Sequence, residues 1–81
     1  MAGILIYKSG LQYYSFVASD DEAYKSMKKS LSREKSQILW EKADTTLDKI
    51  GSARNTKNNL VERLNSGEKI NLERELYSFF K

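Results

Sequence analysis

The chain has 81 residues, a net charge of +3, and no His, Cys or Pro. The missing His and Cys remove the commonest general base, the commonest metal ligands and any disulfide. Compactness must then come from packing, at a size where an unassisted core is near its lower limit. Hydrophobic residues at 40% and charged residues at 31% fit a globular domain rather than a disordered one.

Residues 4–7, Ile-Leu-Ile-Tyr, and 11–17, Leu-Gln-Tyr-Tyr-Ser-Phe-Val, are rich in β-branched and aromatic residues and read as two strands. Ser9-Gly10 between them is the expected turn, because Gly tolerates the positive φ of tight hairpins. A two-residue loop there sets Lys8 opposite Leu11, Ile6 opposite Tyr13 and Ile4 opposite Ser15. One face then carries Ile4, Ile6, Leu11 and Tyr13, and the other Leu5, Tyr7, Tyr14 and Phe16. Neither face is polar.

Ser19-Asp20-Asp21-Glu22 has the spacing of a capping box, with Ser19 at the N-cap and Glu22 at the third helical position. The helix it opens places Ala23, Tyr24, Met27 and Leu31 on one stripe. Ser32 either caps a fresh helix or rides on a continuous one. Trp40, Ala43, Leu47 and Ile50, flanked by Leu39, then recur at helical steps up to Gly51. Residues 51–59 are poor in helix formers and read as a loop or frayed helix start. Leu60, Val61 and Leu64 define a short helix stopped at Gly67. Asn71 caps a last helix carrying Leu72, Leu76, Phe79 and Phe80. A rival reading runs one helix over 32–65 as half of a coiled coil, although Gly51 interrupts its seam.

The expected fold is therefore α+β: one small domain over 1–81, with an N-terminal antiparallel β-hairpin followed by three to four helices packed mainly on one hairpin face. The alternative is all-α with a central antiparallel helical pair.

No nucleophile elbow, phosphate-cradling loop or dense ligand set is present, so an enzyme is not expected, nor are cofactors or metal ions. Asp20, Asp21 and Glu22 are accounted for by a helix start, and Asp44 with Asp48 is too small a set to hold a hard cation. Lys25, Lys28, Lys29 and Arg33 would form one basic helix face, with Arg54, Lys57 and Arg63 as a sparser patch. A solvated helix face explains them, and phosphate binding is the sharper alternative. Trp40 is read as core.

A two-stranded ribbon does not stand alone in water, and few short helices are available to cover two apolar faces. Tyr7, Tyr13, Tyr14 and Phe16 are thus the candidate partner-binding residues, with two strand edges open to extension. The function expected is a non-enzymatic protein-binding module. In size and in its Lys- and Asn-rich composition the chain is similar in character to small accessory proteins of phages and mobile elements, which suggests a modulator or inhibitor of a larger protein. Nucleic-acid binding through the basic helix face is the alternative, and a self-assembling structural subunit the third. The partner is a protein or a second copy of the chain. No leader or apolar run of membrane-spanning length is read, so a soluble cytoplasmic protein is expected.

Overall fold

The computed structural model describes all 81 residues. Strand β1 (Ala2–Ser9) and strand β2 (Gln12–Ala18) form the hairpin, followed by helix α1 (Asp21–Arg33), strand β3 (Gln37–Thr45) and helices α2 (Leu47–Ser52), α3 (Arg54–Asn65) and α4 (Leu72–Phe80). The three strands make one antiparallel sheet in the order β2-β1-β3. The fold is α+β with an N-terminal hairpin, and the all-α alternative does not hold. No helix is long and apolar enough to cross a membrane.

The hairpin turn lies one residue later than expected. Ser9 faces Gln12 and Tyr7 faces Tyr14, so the loop is Gly10-Leu11 and Gly10 supplies the positive φ, 63°. Moving the pairing register by two residues preserves which side chains share a face, because the side-chain period is two. Leu5, Tyr7, Tyr14 and Phe16 still lie together, while Leu11 leaves the sheet for the turn.

The larger correction concerns residues 37–45. They form an edge strand on β1, where helical spacing predicts the start of an amphipathic helix. Strand β1 is central, and its continuous apolar run Ile4-Leu5-Ile6 is fully buried, as expected for a strand covered on both faces. Its second row of backbone groups requires a partner, and pairing with residues 37–45 overrides their local periodicity.

Two bulges disguise that strand. Tyr7 faces Ile38 while Ile6 faces Trp40, leaving Leu39 as an extra residue; a second extra residue falls between the Ile4–Lys42 and Ala2–Thr45 pairs. A regular continuation would set Leu39 opposite Tyr7 and turn Ile38 to the wrong face. With the bulge, Ile38 packs on the Tyr7 side and Trp40 on the Ile6 side.

Helices cover both faces, not mainly one. Helix α1 lays Tyr24 and Leu31 on Leu5 and Ala18. Helices α2, α3 and α4 bury Ile50, Leu60, Leu64, Leu72, Leu76 and Phe80 against Ala2, Ile4, Ile6 and Trp40. Trp40 is a core residue, 9% exposed, with its ring 5.5 Å from that of Phe80. The N-cap of α1 is Asp20, which accepts from the Ala23 N–H at 2.8 Å, and Ser19 plays no capping part. The helix continues through Ser32 to Arg33.

Residues 51–59 are mostly helical, not a loop. Thr46 caps α2, and Ala53, fully buried, joins it to α3. Burial of Ala53 and Leu60 outweighs the weak propensity of the Asn- and Thr-rich stretch between them. The break at Ala53 and the strand before it exclude one helix over 32–65. Asn71 caps α4 as expected, accepting from the Arg74 N–H at 3.1 Å. At the end of α3, Gly67 donates to the Leu64 carbonyl and Glu68 to that of Arg63, the bonding of a Schellman stop.

Candidate functional site

The hairpin's free end carries exposed apolar residues. Tyr7 and Tyr14 face each other across the ladder and stack with ring centroids 5.5 Å apart. Tyr14 is 44% exposed, and Leu11 at the adjoining turn is 89% exposed. Phe16 shares their face but is half-buried against the α1 core. Tyr13 does not join them. It lies on the opposite face, packed against the Trp40 core with the Lys8 ammonium 5.3 Å from its ring centroid. Of the four expected residues, the structure brings Tyr7, Tyr14 and Phe16 together and separates Tyr13. Burial, with Glu34 and the Tyr14 ring beside it, raises the Tyr7 phenol above its ordinary value.

The basic residues all lie on α1, though not as four free charges. Lys28 donates to Glu41 Oε1 at 2.8 Å, and the Tyr24 hydroxyl donates to the same oxygen at 2.7 Å. Those bonds hold the Glu41 carboxyl below the usual range, the Lys28 bond contributing most. Burial chiefly, then the bond to Glu41, raises the Tyr24 phenol far above its ordinary value. The group is an ionic tie between α1 and β3, and its phenol is too weak an acid to act as a base near neutral pH. Lys25, Lys29 and Arg33 are exposed. In the sparser patch, Arg63 pairs with Glu68 and Glu75, while Lys57 is half-buried beside Arg54 and pushed downward by burial.

The two sheet edges differ. At the outer edge of β2, the Asn65 carboxamide accepts from the Tyr13 N–H at 2.7 Å and donates to the Tyr13 carbonyl at 3.1 Å. One side chain thus takes the place of a neighbouring strand. Strand β3 makes no backbone hydrogen bond beyond its ladder to β1.

Beside β3 lie two open cavities that the sequence reading missed. One, of about 510 Å³, is bordered by Tyr13, Leu39, Trp40, Ile70 and Glu73. The other, of about 370 Å³, is bordered by Trp40, Lys42, Glu73, Tyr77 and Phe80. Trp40 and Glu73 belong to both, and the indole N–H donates to Glu73 Oε2 at 2.9 Å. The signal available in the sequence was the run Ile38-Leu39-Trp40, which is as compatible with a strand as with a helix. No three His, Cys, Asp or Glu side chains gather closely enough to hold a metal ion. Compared with known families, curated proteins and solved structures, the chain matches none.

Proposed function

We propose that this chain is a non-enzymatic protein-binding module that docks onto a larger cytoplasmic protein through the free end of its hairpin, as a modulator or inhibitor would by occupying a site there. The observation that carries this is the Tyr7–Tyr14 stack, with Tyr14 44% exposed beside Leu11 at 89%. Stacked tyrosines on a paired ladder present apolar area with little rotamer entropy left to lose, which favours them as anchors. The patch is smaller than two apolar faces suggest, because α1 covers much of this side of the sheet.

Nucleic-acid binding is the second reading. Lys25, Lys29 and Arg33 remain exposed on α1, the helix that packs on the same sheet face as Tyr14. Lys28 is engaged by Glu41, which weakens the stripe.

The test is affinity capture from cells of the native source with the wild-type chain and with Tyr14→Glu and Leu11→Glu. A partner retained in stoichiometric amount by the wild type and lost by both folded variants supports the proposal. Equal retention by all three overturns it. Retention of DNA or RNA that weakens steeply with salt would favour the second reading, and concentration-dependent sedimentation of the isolated chain would favour self-assembly.

A further inference from the structure

We propose that the groove between β3 and α4 is a second recognition site, taking an extended acidic segment of a partner protein that adds to β3 as a fourth strand. The two edges of the sheet supply the first reason. Asn65 occupies the β2 edge at Tyr13, whereas the outer row of β3 has no backbone partner in the chain. Since Tyr13 directs its backbone outward, Tyr7 and Leu5 bond to β2, and Ile4 and Ile6 bond to Lys42 and Trp40 of β3. The alternation of the ladder then leaves the Glu41 N–H and C=O facing away from β1. An added strand satisfies such groups with main-chain bonds, and its alternate side chains read the pockets alongside.

Those pockets are present, and they are chemically unlike. The cavity of about 510 Å³ offers Leu39, 36% exposed, together with Tyr13 and Ile70, and suits an apolar side chain. The cavity of about 370 Å³ is bordered by Lys42 and Lys81, neither of which is paired with a carboxylate of the chain, and by Glu41 and Glu73, which already accept from Lys28 and Tyr24 and from the Trp40 indole. Lys42 is half-buried there, its stem partly covered at the cavity and its ammonium available to a partner carboxylate. Residues two apart on a strand point the same way about 7 Å apart. The segment therefore carries an apolar residue and, two positions away, Asp or Glu. The site is separate from the hairpin patch, and Tyr14→Glu should leave it unchanged.

A displayed library of random ten-residue peptides, selected on the full chain, tests this. The expected result is enrichment of sequences with an apolar residue followed or preceded at two positions by Asp or Glu. A synthetic enriched peptide added to ¹⁵N-labelled chain should shift amides of residues 39–43 and 73–77 and slow exchange of the Glu41 amide. Lys42→Glu should weaken that peptide at least about tenfold, the loss of one well-placed charge pair, and redirect selection toward Lys and Arg. Lys42→Gln, which removes the charge and keeps a polar end on a slightly shorter side chain, should abolish the preference for acids. The proposal is overturned if nothing is enriched, if neither Lys42 variant alters the selection, or if the shifts fall on Tyr7 and Tyr14. It also falls if the β3 amides shift with protein concentration alone, since the occupant would then be a second copy.

Discussion

The ring of Tyr24 packs against Gly3, where a Cβ would come 2.8 Å from Cε1 and closer still to Cδ1. The glycine is a gap in β1 that the tyrosine of α1 fills, and the phenol reaches on to Glu41. Gly3→Ala should displace this ring from a packed cluster and destabilise the chain by about 1–3 kcal/mol, the range for overpacked cores, as read from denaturant midpoints. Lys35 presents the opposite case. It ends α1 at φ 59°, where its N–H and that of Ser36 close the Schellman bonds to Ser32 and Leu31. The left-handed conformation costs a side-chain-bearing residue about 1–2 kcal/mol, and Gly adds about 0.5–1 kcal/mol of unfolded-state freedom. Lys35→Gly should therefore raise stability by about 0.5 kcal/mol, the difference between those terms. A lowered denaturation midpoint would contradict this account of the turn.

Among the elements, β2 and α3 meet through one carboxamide. Asn65 closes α3 and bonds both backbone groups of Tyr13, so a helix end is fastened to a strand edge. Two neutral hydrogen bonds at an exposed site contribute about 1–2 kcal/mol together. Asn65→Ala should lose about that much stability and accelerate exchange of the Tyr13 amide, while the amides between β1 and β3 keep their protection. Uniform acceleration throughout the sheet would mean that Asn65 supports the whole fold and not this junction. Strand β3 was the element least visible in the sequence. Its two bulges break the period of two, and Trp40, Ala43, Leu47 and Ile50 happen to recur at helical steps although they fall in two different elements. The candidate hairpin patch was legible as Tyr7, Tyr14 and Phe16 because a ladder keeps their face under a register change of two. Tyr13 was grouped with them by composition, and the pleat sends it to the other side.

For the molecule as a whole, the tie among Tyr24, Glu41 and Lys28 joins the α1 layer to the sheet and makes stability depend on pH at both ends of the range. The Glu41 carboxyl is held below its ordinary value, so its contribution is present above the unfolded carboxylate range and fades as pH falls through the folded value. Glu41 is exposed enough for solvent screening to keep that contribution small. The Tyr24 phenol is raised, so its contribution is complete below the ordinary tyrosine value and is lost as pH rises past it. Glu41→Gln should flatten the acid limb of a plot of denaturation midpoint against pH. Tyr24→Phe should make the alkaline limb shallower, with Tyr7 leaving a residual slope because its phenol is raised as well. Limbs unchanged in both variants would remove this tie as a source of pH dependence.

Local chemistry written along the chain was enough for the hairpin, for α1 and α4, and for the Asn71 cap and the Gly67 stop. Each depends on residues within a few positions of one another, through period, capping or turn geometry. The third strand, the helical state of residues 51–59 and the covering of both sheet faces depended on contacts between distant segments. Strand β1 offers a second row of backbone donors and acceptors and a second apolar face. Satisfying them recruits residues 37–45 as a strand and sends the chain's helices to opposite sides of the sheet. Burial of Ala53 and Leu60 then holds in helix a stretch that would not be helical by propensity alone. Such demands come from the central strand and not from the segments that answer them, so only the assembled sheet decided where those segments lie.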